Sequence, residues 1–505
     1  MSGLRVTFIN MPLRESAAPN TPPEGPGILA AILREKGHDV SILDLNAYRF
    51  PTESGNNRHL TLAETDNLIR EHLNQKGDQH LVAMSGMITT LKWQTEVAKI
   101  VRWHQDDTFL ISGGGLATEI AEGLFKWIPE LNAIARSEGD DIICEIARDV
   151  EAGKTKKIYE GDRPKDLDAI PYAAWDLLES DPYGHNILED YINIPVWGLE
   201  ANNSSATPFS MKRSLTTVSS RGCPYACAFC YRGAQGERNY GMRSCEHLAT
   251  QIKQYVDRYN LDFMGFPDDN FAVDKRRIKE MPGVFKEYGI DHVRWGTHTR
   301  MDEADERAFM MAEAGCIYIG FGAESASEKT LISMNKGGHI LSRGITEKKV
   351  NGKTYRFPSS MVDAVENCRK AGIHGNCTWI MGYPGETLED LKISVAFILW
   401  QSEGAPEDSV NQKMFTATAY PGTAMFKDKK ARQLMSKNFG ISFDPDGTPV
   451  YDDNLHRYVL ELDDATKVLY NTDGEPLNFG AMPTRTFLKV REYVDNNELE
   501  KVLEI

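Results

Sequence analysis

The 505-residue chain has no run of apolar residues near the ~20 needed to cross a bilayer, so a membrane span is not expected. Nor do its first residues read as a secretory leader. Met1-Ser2-Gly3-Leu4-Arg5 passes straight into an alternating β-like pattern. Both absences point to a soluble, cytoplasmic protein. Cysteine is scarce and scattered, 8 in all, which is no disulfide framework for so long a chain. Positive charge is in deficit: 57 Lys and Arg against 73 Asp and Glu leave a net charge of −16. Such a surface repels a phosphate backbone, so nucleic acid is not expected as a partner. There is no internal repeat and no low-complexity tract.

What remains is an ordinary globular composition, 41% hydrophobic and 26% charged. At roughly 150 residues per domain, the length suggests about three domains. The first third alternates strands (4–10, 39–45, 81–85, 109–112, 133–136) with helices (28–36, 93–103, 119–127). That order predicts an α/β, doubly wound, Rossmann-like parallel sheet over residues 1–150. Small residues recur just past strand ends: Ser85-Gly86, Gly113-Gly114-Gly115 and Ser137-Glu138-Gly139. Ligands of open α/β sheets bind at that edge, where glycine lets a bulky group approach the backbone. Ordinary strand-to-helix turns use the same residues, but three on one edge point to a large planar or nucleotide-like ligand. No Gly-x-Gly-x-x-Gly follows the first strand. Residues 151–212 read as a linker, with an irregular stretch at 199–210.

Residues 221–230, Arg-Gly-Cys-Pro-Tyr-Ala-Cys-Ala-Phe-Cys, place Cys223, Cys227 and Cys230 in a Cys-x3-Cys-x2-Cys pattern. Three thiolates this close can ligate three irons of a 4Fe–4S cube. No fourth cysteine lies in the loop, so one iron is left open for a reacting molecule. A zinc knuckle is the alternative, but zinc favours four ligands in paired spacing and the loop holds no histidine.

With Phe229 just before the third cysteine, this loop resembles the signature of the radical S-adenosylmethionine (SAM) superfamily. It follows a strand at 215–219, as that family's loop does. Further strands at 263–266, 293–296, 318–321, 377–381 and 415–419, with helices such as 245–259 and 305–314 between them, suggest a partial (β/α)6 barrel over 213–425. The resemblance implies that Cys223, Cys227 and Cys230 hold the cluster and that SAM chelates the open iron. It further implies that Asp268 or Asp269 accepts from the SAM amino group and that Arg300 pairs with its carboxylate. Glu324 would take the ribose hydroxyls, and Gly382 would let the backbone approach adenine.

The two thirds together resemble the cobalamin-dependent, class B, branch. Pro22-Pro23-Glu24-Gly25-Pro26-Gly27, Gly113-Gly114-Gly115-Leu116-Ala117-Thr118 and Arg136-Ser137-Glu138-Gly139-Asp140 resemble its motifs. Ser85, Gly86, Gly114, Gly115, Thr118, Glu138 and Gly139 would then border cobalamin. Ser137 and Asp140 depart from the commoner Gly and Glu. With no Asp-x-His-x-x-Gly, no histidine is evident as lower cobalt ligand.

The resemblance implies methylation of an unactivated sp3 carbon through a 5′-deoxyadenosyl radical and methylcobalamin. The enzyme would take an organic substrate and a low-potential electron donor such as flavodoxin or ferredoxin. A cyclase or rearrangement enzyme using the same cofactors, and a non-catalytic cobalamin and Fe–S sensor, are the alternatives. A methylthiotransferase would need three more cluster cysteines near the N-terminus, and only Cys144 precedes the loop. No catalytic acid or base is identified. Residues 426–505 either cover the barrel mouth or simply pack on the barrel. The segment 336–358, with His339, Arg343, Lys348, Lys349, Lys353 and Arg356, reads as a solvated basic loop or a contact for an anionic substrate.

Overall fold

The computed structural model describes residues 3–13, 21–51, 57–193, 211–231, 240–403, 405, 413–463 and 467–505. The irregular stretch expected at 199–210 lies outside the described residues. In the N-terminal part, β1 (Arg5–Asn10), β2 (Asp39–Asp44), β3 (Leu81–Ser85), β4 (Phe109–Gly113), β5 (Ala133–Arg136) and β6 (Ile158–Glu160) form one sheet in the order β2-β1-β3-β4-β5-β6. Every pair is parallel. The sixth strand comes from the segment read as linker.

Strands covered on both faces read as continuous apolar runs, and β1 does so through Val6, Phe8 and Ile9. One face packs Val6 and Phe8 with Ile28 and Leu33 of helix Glu24–Glu35 and Ile146 of helix Ile143–Ala152. The other packs Ile9, Val82 and Leu110 with Leu68, Val97 and Leu124 from helices Leu62–Lys76, Leu91–His104 and Ala121–Trp127. The sheet is therefore doubly wound.

The middle of the chain builds β7 (Ser214–Thr216), β8 (Phe263–Phe266), β9 (Arg294–Arg300), β10 (Cys316–Glu324), β13 (His374–Met381) and β14 (Lys413–Thr416), all parallel, in the order β14-β13-β10-β9-β8-β7. Between β10 and β13 lies an antiparallel hairpin of β11 (Ile345–Val350) and β12 (Lys353–Pro358). In the six-stranded sheet Trp295, Phe321 and Trp379 are buried with the outer helices. The alternating residues face the barrel interior, where Gly320 leaves room for the His298 ring, 2.5 Å from where a Cβ would lie. β9 and β10 run on through 297–300 and 322–324, which read as loops. Thr297, His298, Thr299 and Arg300, like Gly322, Ala323 and Glu324, are polar or small on both faces of the sheet, so hydrophobic patterning stops short of the strand ends.

The segment 336–358 is not a solvated loop. Asn351 and Gly352 turn the hairpin with φ of 48° and 78°, the pairing that a tight two-residue hairpin favours. Phe357 lies edge-on to Phe397 of helix Leu388–Ser402. Arg343, Lys348 and Arg356 meet Asp305, Glu366 and Glu328 at 3.5, 2.9 and 3.4 Å, so much of the local positive charge is compensated.

The C-terminal region touches both halves. Helices Lys429–Phe439 and Asp453–Leu460 bury Met435, Phe439 and Tyr458 in the core that also holds Leu116, Ile120 and Leu124. Helices Thr484–Asp495 and Leu499–Glu504 bury Phe487, Val490 and Val502 in the core shared with helix Leu388–Ser402.

Gly114 has φ 89°, and a Cβ there would lie 2.6 Å from the Gly86 carbonyl oxygen. Gly114→Ala should lower unfolding free energy by about 2 kcal/mol or more, since overpacking adds to left-handed strain. Denaturant unfolding monitored by circular dichroism measures the loss.

Candidate functional site

The residues leading into the cysteine loop are held one after another by carboxylates. Glu24 accepts from the Thr217 hydroxyl and the Val218 amide, both at 2.7 Å. Asp268 accepts from the Ser219 amide at 2.8 Å and from the Ser219 and Ser220 hydroxyls at 2.6 and 2.5 Å. Arg221 donates to Asp140 at 2.7 and 3.1 Å and to Glu138 at 2.9 Å. The Gly222 amide donates to Asp269 at 3.0 Å. Glu24, Glu138 and Asp140 belong to the N-terminal domain, Asp268 and Asp269 to the barrel. Hydrogen bonds to charged groups contribute about 1.5–3 kcal/mol each. Burial raises the pKa of Glu24, Asp268 and Asp269, opposed by these bonds.

Asp268 is buried, and the buried Arg277 shares its partner Ser219, donating to the carbonyl at 3.0 Å and the hydroxyl at 2.7 Å. Asp268 therefore fixes the loop from inside the wall. Asp269 is solvent-exposed yet surrounded by protein, so of the two it is the carboxylate open to a ligand.

Of the three thiols, Cys227 is buried, Cys223 half-buried and Cys230 exposed. Burial raises the thiol of Cys223; Cys230 keeps an open face, but the protein crowding its sulfur displaces enough water to push it up to about 12, and the neighbouring cysteines add to both. Iron ligation has to displace those protons. Donors wait beside the sulfurs: Arg300 Nη1 lies 3.6 Å from Cys227 Sγ, and Asn270 Nδ2 3.9 Å from Cys223 Sγ. Among the described residues no three Cys, His, Asp or Glu side chains converge on a point for one metal ion. A cube asks for something different, one thiolate per iron at three separate corners, and the loop suits that demand better than a zinc knuckle.

Arg300 is immobilised. Its guanidinium stacks 3.9 Å from the Tyr225 ring centre and binds Asp302 at 3.0 and 3.3 Å. Much of the fork expected to meet a SAM carboxylate is thus engaged by protein, and the Nη1 edge faces the cluster loop. Tyr225 in turn donates to Glu303 at 2.9 Å. Glu324 sits at the end of β10 with φ 65°, beside a register shift, and its carboxylate accepts from Lys336 at 3.1 Å. A left-handed glutamate costs about 1–3 kcal/mol, strain of the kind found at functional positions. Lys336 also donates to the Gly322 carbonyl at 2.6 Å and lies 5.7 Å from the Phe229 ring centre. Phe229 meets Tyr383 edge-on at 6.5 Å.

Gly382 has φ 74°, but its open side faces the C-terminal region, with Phe487 2.8 Å from where a Cβ would lie. Its amide donates to Glu386 at 2.7 Å. The Cβ side of Gly382 and its amide are therefore both taken by protein. The other Glu386 oxygen is buried without a hydrogen-bond partner, and burial pushes this carboxyl up to about 8.

At the N-terminal sheet edge lies a cavity of about 360 Å³. Ser85, Gly114, Glu138 and Gly139 border it as expected, above an apolar floor that includes Phe8 and Ile111. Val218 and Arg221 of the barrel also line it, and among the described residues no histidine does. Gly86, Gly115 and Thr118 lie behind the wall. Gly86 makes room for Thr90, Gly115 receives the Tyr231 ring at 3.6 Å, and the Thr118 hydroxyl ties Gly114 O at 2.9 Å to the Ser137 amide at 3.0 Å. Ser137 has φ 66°, which explains why the related motif favours glycine there. Sequence reasoning did not single out Glu24, Asp140, Arg221, Asp302 or Lys336 as site residues. The one signal was a carboxylate between prolines in Pro23-Glu24-Gly25-Pro26.

Residues 217–398 match the family model described as the Radical SAM superfamily, so this part of the chain is a radical SAM domain. The two-domain fold as a whole is also that of the radical SAM methyltransferase TsrM from Kitasatospora setae, solved with tryptophan substrate and a SAM analogue (TM-score 0.61, 16% identity, 99% of this chain and 89% of that one). An uncharacterized methyltransferase of Pyrococcus horikoshii, PH0819, is 26% identical over 431 residues, 82% of this chain and 80% of that protein. An anaerobic magnesium-protoporphyrin IX monomethyl ester cyclase of Cereibacter sphaeroides is 22% identical over 382 residues, 73% of this chain and 57% of that protein.

Asp268→Ala should cost about 3 kcal/mol or more, because it strands Arg277 and two serines in the interior. Asp268→Asn should cost less, and thermal unfolding with iron quantitation separates the two. Glu386 makes a pH prediction. A carboxyl raised from 4.5 to about 8 on folding contributes stability below pH 4.5 that is lost as the pH rises through 8. Relative to Glu386→Gln, the wild type should therefore lose stability across that window, as urea unfolding at stepped pH will report.

Proposed function

We propose that this protein is a cobalamin-dependent radical SAM methyltransferase acting on an sp3 carbon of an organic substrate, with electrons from a low-potential protein donor. One observation carries the reading. The three-cysteine loop holds no fourth cysteine, and its lead-in residues Val218 and Arg221 line the cavity at the N-terminal sheet edge. Cys223, Cys227 and Cys230 would hold the cluster. Asp269 and Glu324 would accept from SAM, and Arg300 would offer the Nη1 edge it holds beside Cys227. The small strand-end residues and the apolar floor would receive part of a corrinoid. When bound, these groups would supply hydrogen-atom abstraction and a transferable methyl group, chemistry beyond any side-chain acid or base. The protein positions them and excludes water.

A second reading, ring closure without net methyl transfer, is favoured by the likeness to the cyclase. Products separate the two. After anaerobic reconstitution with iron, sulfide and cobalamin, S-adenosylhomocysteine should form in step with turnover together with 5′-deoxyadenosine. Deoxyadenosine alone would select the second reading. Replacing Cys223, Cys227 and Cys230 together by Ala should abolish SAM cleavage while cobalamin stays bound, as chromatography and visible absorption will show.

A further inference from the structure

The wall of the N-terminal cavity and the lead-in to the first cysteine are the same residues. Arg221 and Val218 line the cavity, and so do their partners Glu24, Glu138 and Asp140. Arg163 closes the network, with Nε 3.3 Å from Glu138 and Nη1 3.4 Å from the Arg221 carbonyl. The Arg221 side chain is 18% exposed, those of Asp140 and Arg163 7% each, so solvent screens these contacts little. Only Gly222 separates Arg221 from Cys223. A molecule that fills the cavity has to settle against a guanidinium held by two carboxylates. That guanidinium in turn sets where the cysteine loop begins.

Resting on the functional reading above, we propose that Arg221 is a positioning residue through which the two sites strengthen each other. Corrinoid in the cavity fixes the Arg221–Asp140–Glu138 unit and thereby pre-orders the cluster loop. A cluster on the three cysteines fixes the same unit from the other side. Whichever group binds second then spends less on ordering it. The coupling is reciprocal, so each group raises the affinity for the other by the same factor.

Anaerobic titration of hydroxocobalamin into iron-free and cluster-loaded protein, followed by visible absorption, reads that factor. Cluster loading should tighten cobalamin by about tenfold in the wild type, within the usual range for coupled sites. In Arg221→Met the ratio should fall to near one while both groups still bind. A merely structural role would weaken both affinities and leave the ratio unchanged. Should Arg221→Met fail to fold by circular dichroism, Asp140→Asn, which keeps the shape and removes the charge, must lower the ratio instead. Equal cobalamin affinities with and without cluster in the wild type, or an undiminished ratio in the variant that folds, would overturn the coupling and leave the functional reading standing. No cobalamin uptake in either state would overturn both.

Discussion

The site depends on how six consecutive residues are held. From Thr217 to Gly222 the backbone and side chains are bound by Glu24, Asp268, Asp140, Glu138 and Asp269. A loop carrying three thiols that must lose protons cannot rest on apolar packing alone, since apolar packing specifies neither direction nor register. Charge-assisted hydrogen bonds specify both. Three of the carboxylates come from the N-terminal domain, so the same contacts that shape the loop also lock the two domains together at their ligand-facing edges.

Two residues beside this arrangement carry backbone strain. Glu324 and Ser137 hold left-handed backbone although neither is glycine. Each is over-determined by neighbours, Glu324 by Lys336 and Ser137 by Thr118. Elsewhere the positive-φ positions are mostly glycines in turns, where such conformations carry little steric cost. The C-terminal region does more than pack on the barrel. It reaches Gly382 with Phe487 and the N-terminal helices with Tyr458, so both domains are also joined on a side remote from the carboxylate grip.

Much of the fold was legible because both domains alternate buried strands with helices, and buried parallel strands are apolar throughout. Helix Cys245–Tyr259 and strand Ala133–Arg136 match the expected bounds residue for residue. Reading failed where polarity has another cause. The ends of β9 and β10 carry polar or small residues on both faces, and the hairpin at 345–358 is basic on its surface yet anchored by Phe357. Its Asn351-Gly352 turn was the missed signal.

By itself the sequence determined the chemistry on offer: three thiols in a short loop, glycines past strand ends, and carboxylates where ligands of such sheets bind. Those depend on residue type and local spacing, which one dimension contains. Tertiary structure alone decided which carboxylates face inward and which stay open, so that Asp268 became a buried anchor while its neighbour Asp269 stayed exposed. It alone brought Asp140 and Glu24 to the cysteine loop across some eighty and nearly two hundred residues of chain. Such pairings are set by the docking of two separately folded sheets, and no local pattern in either sheet encodes them.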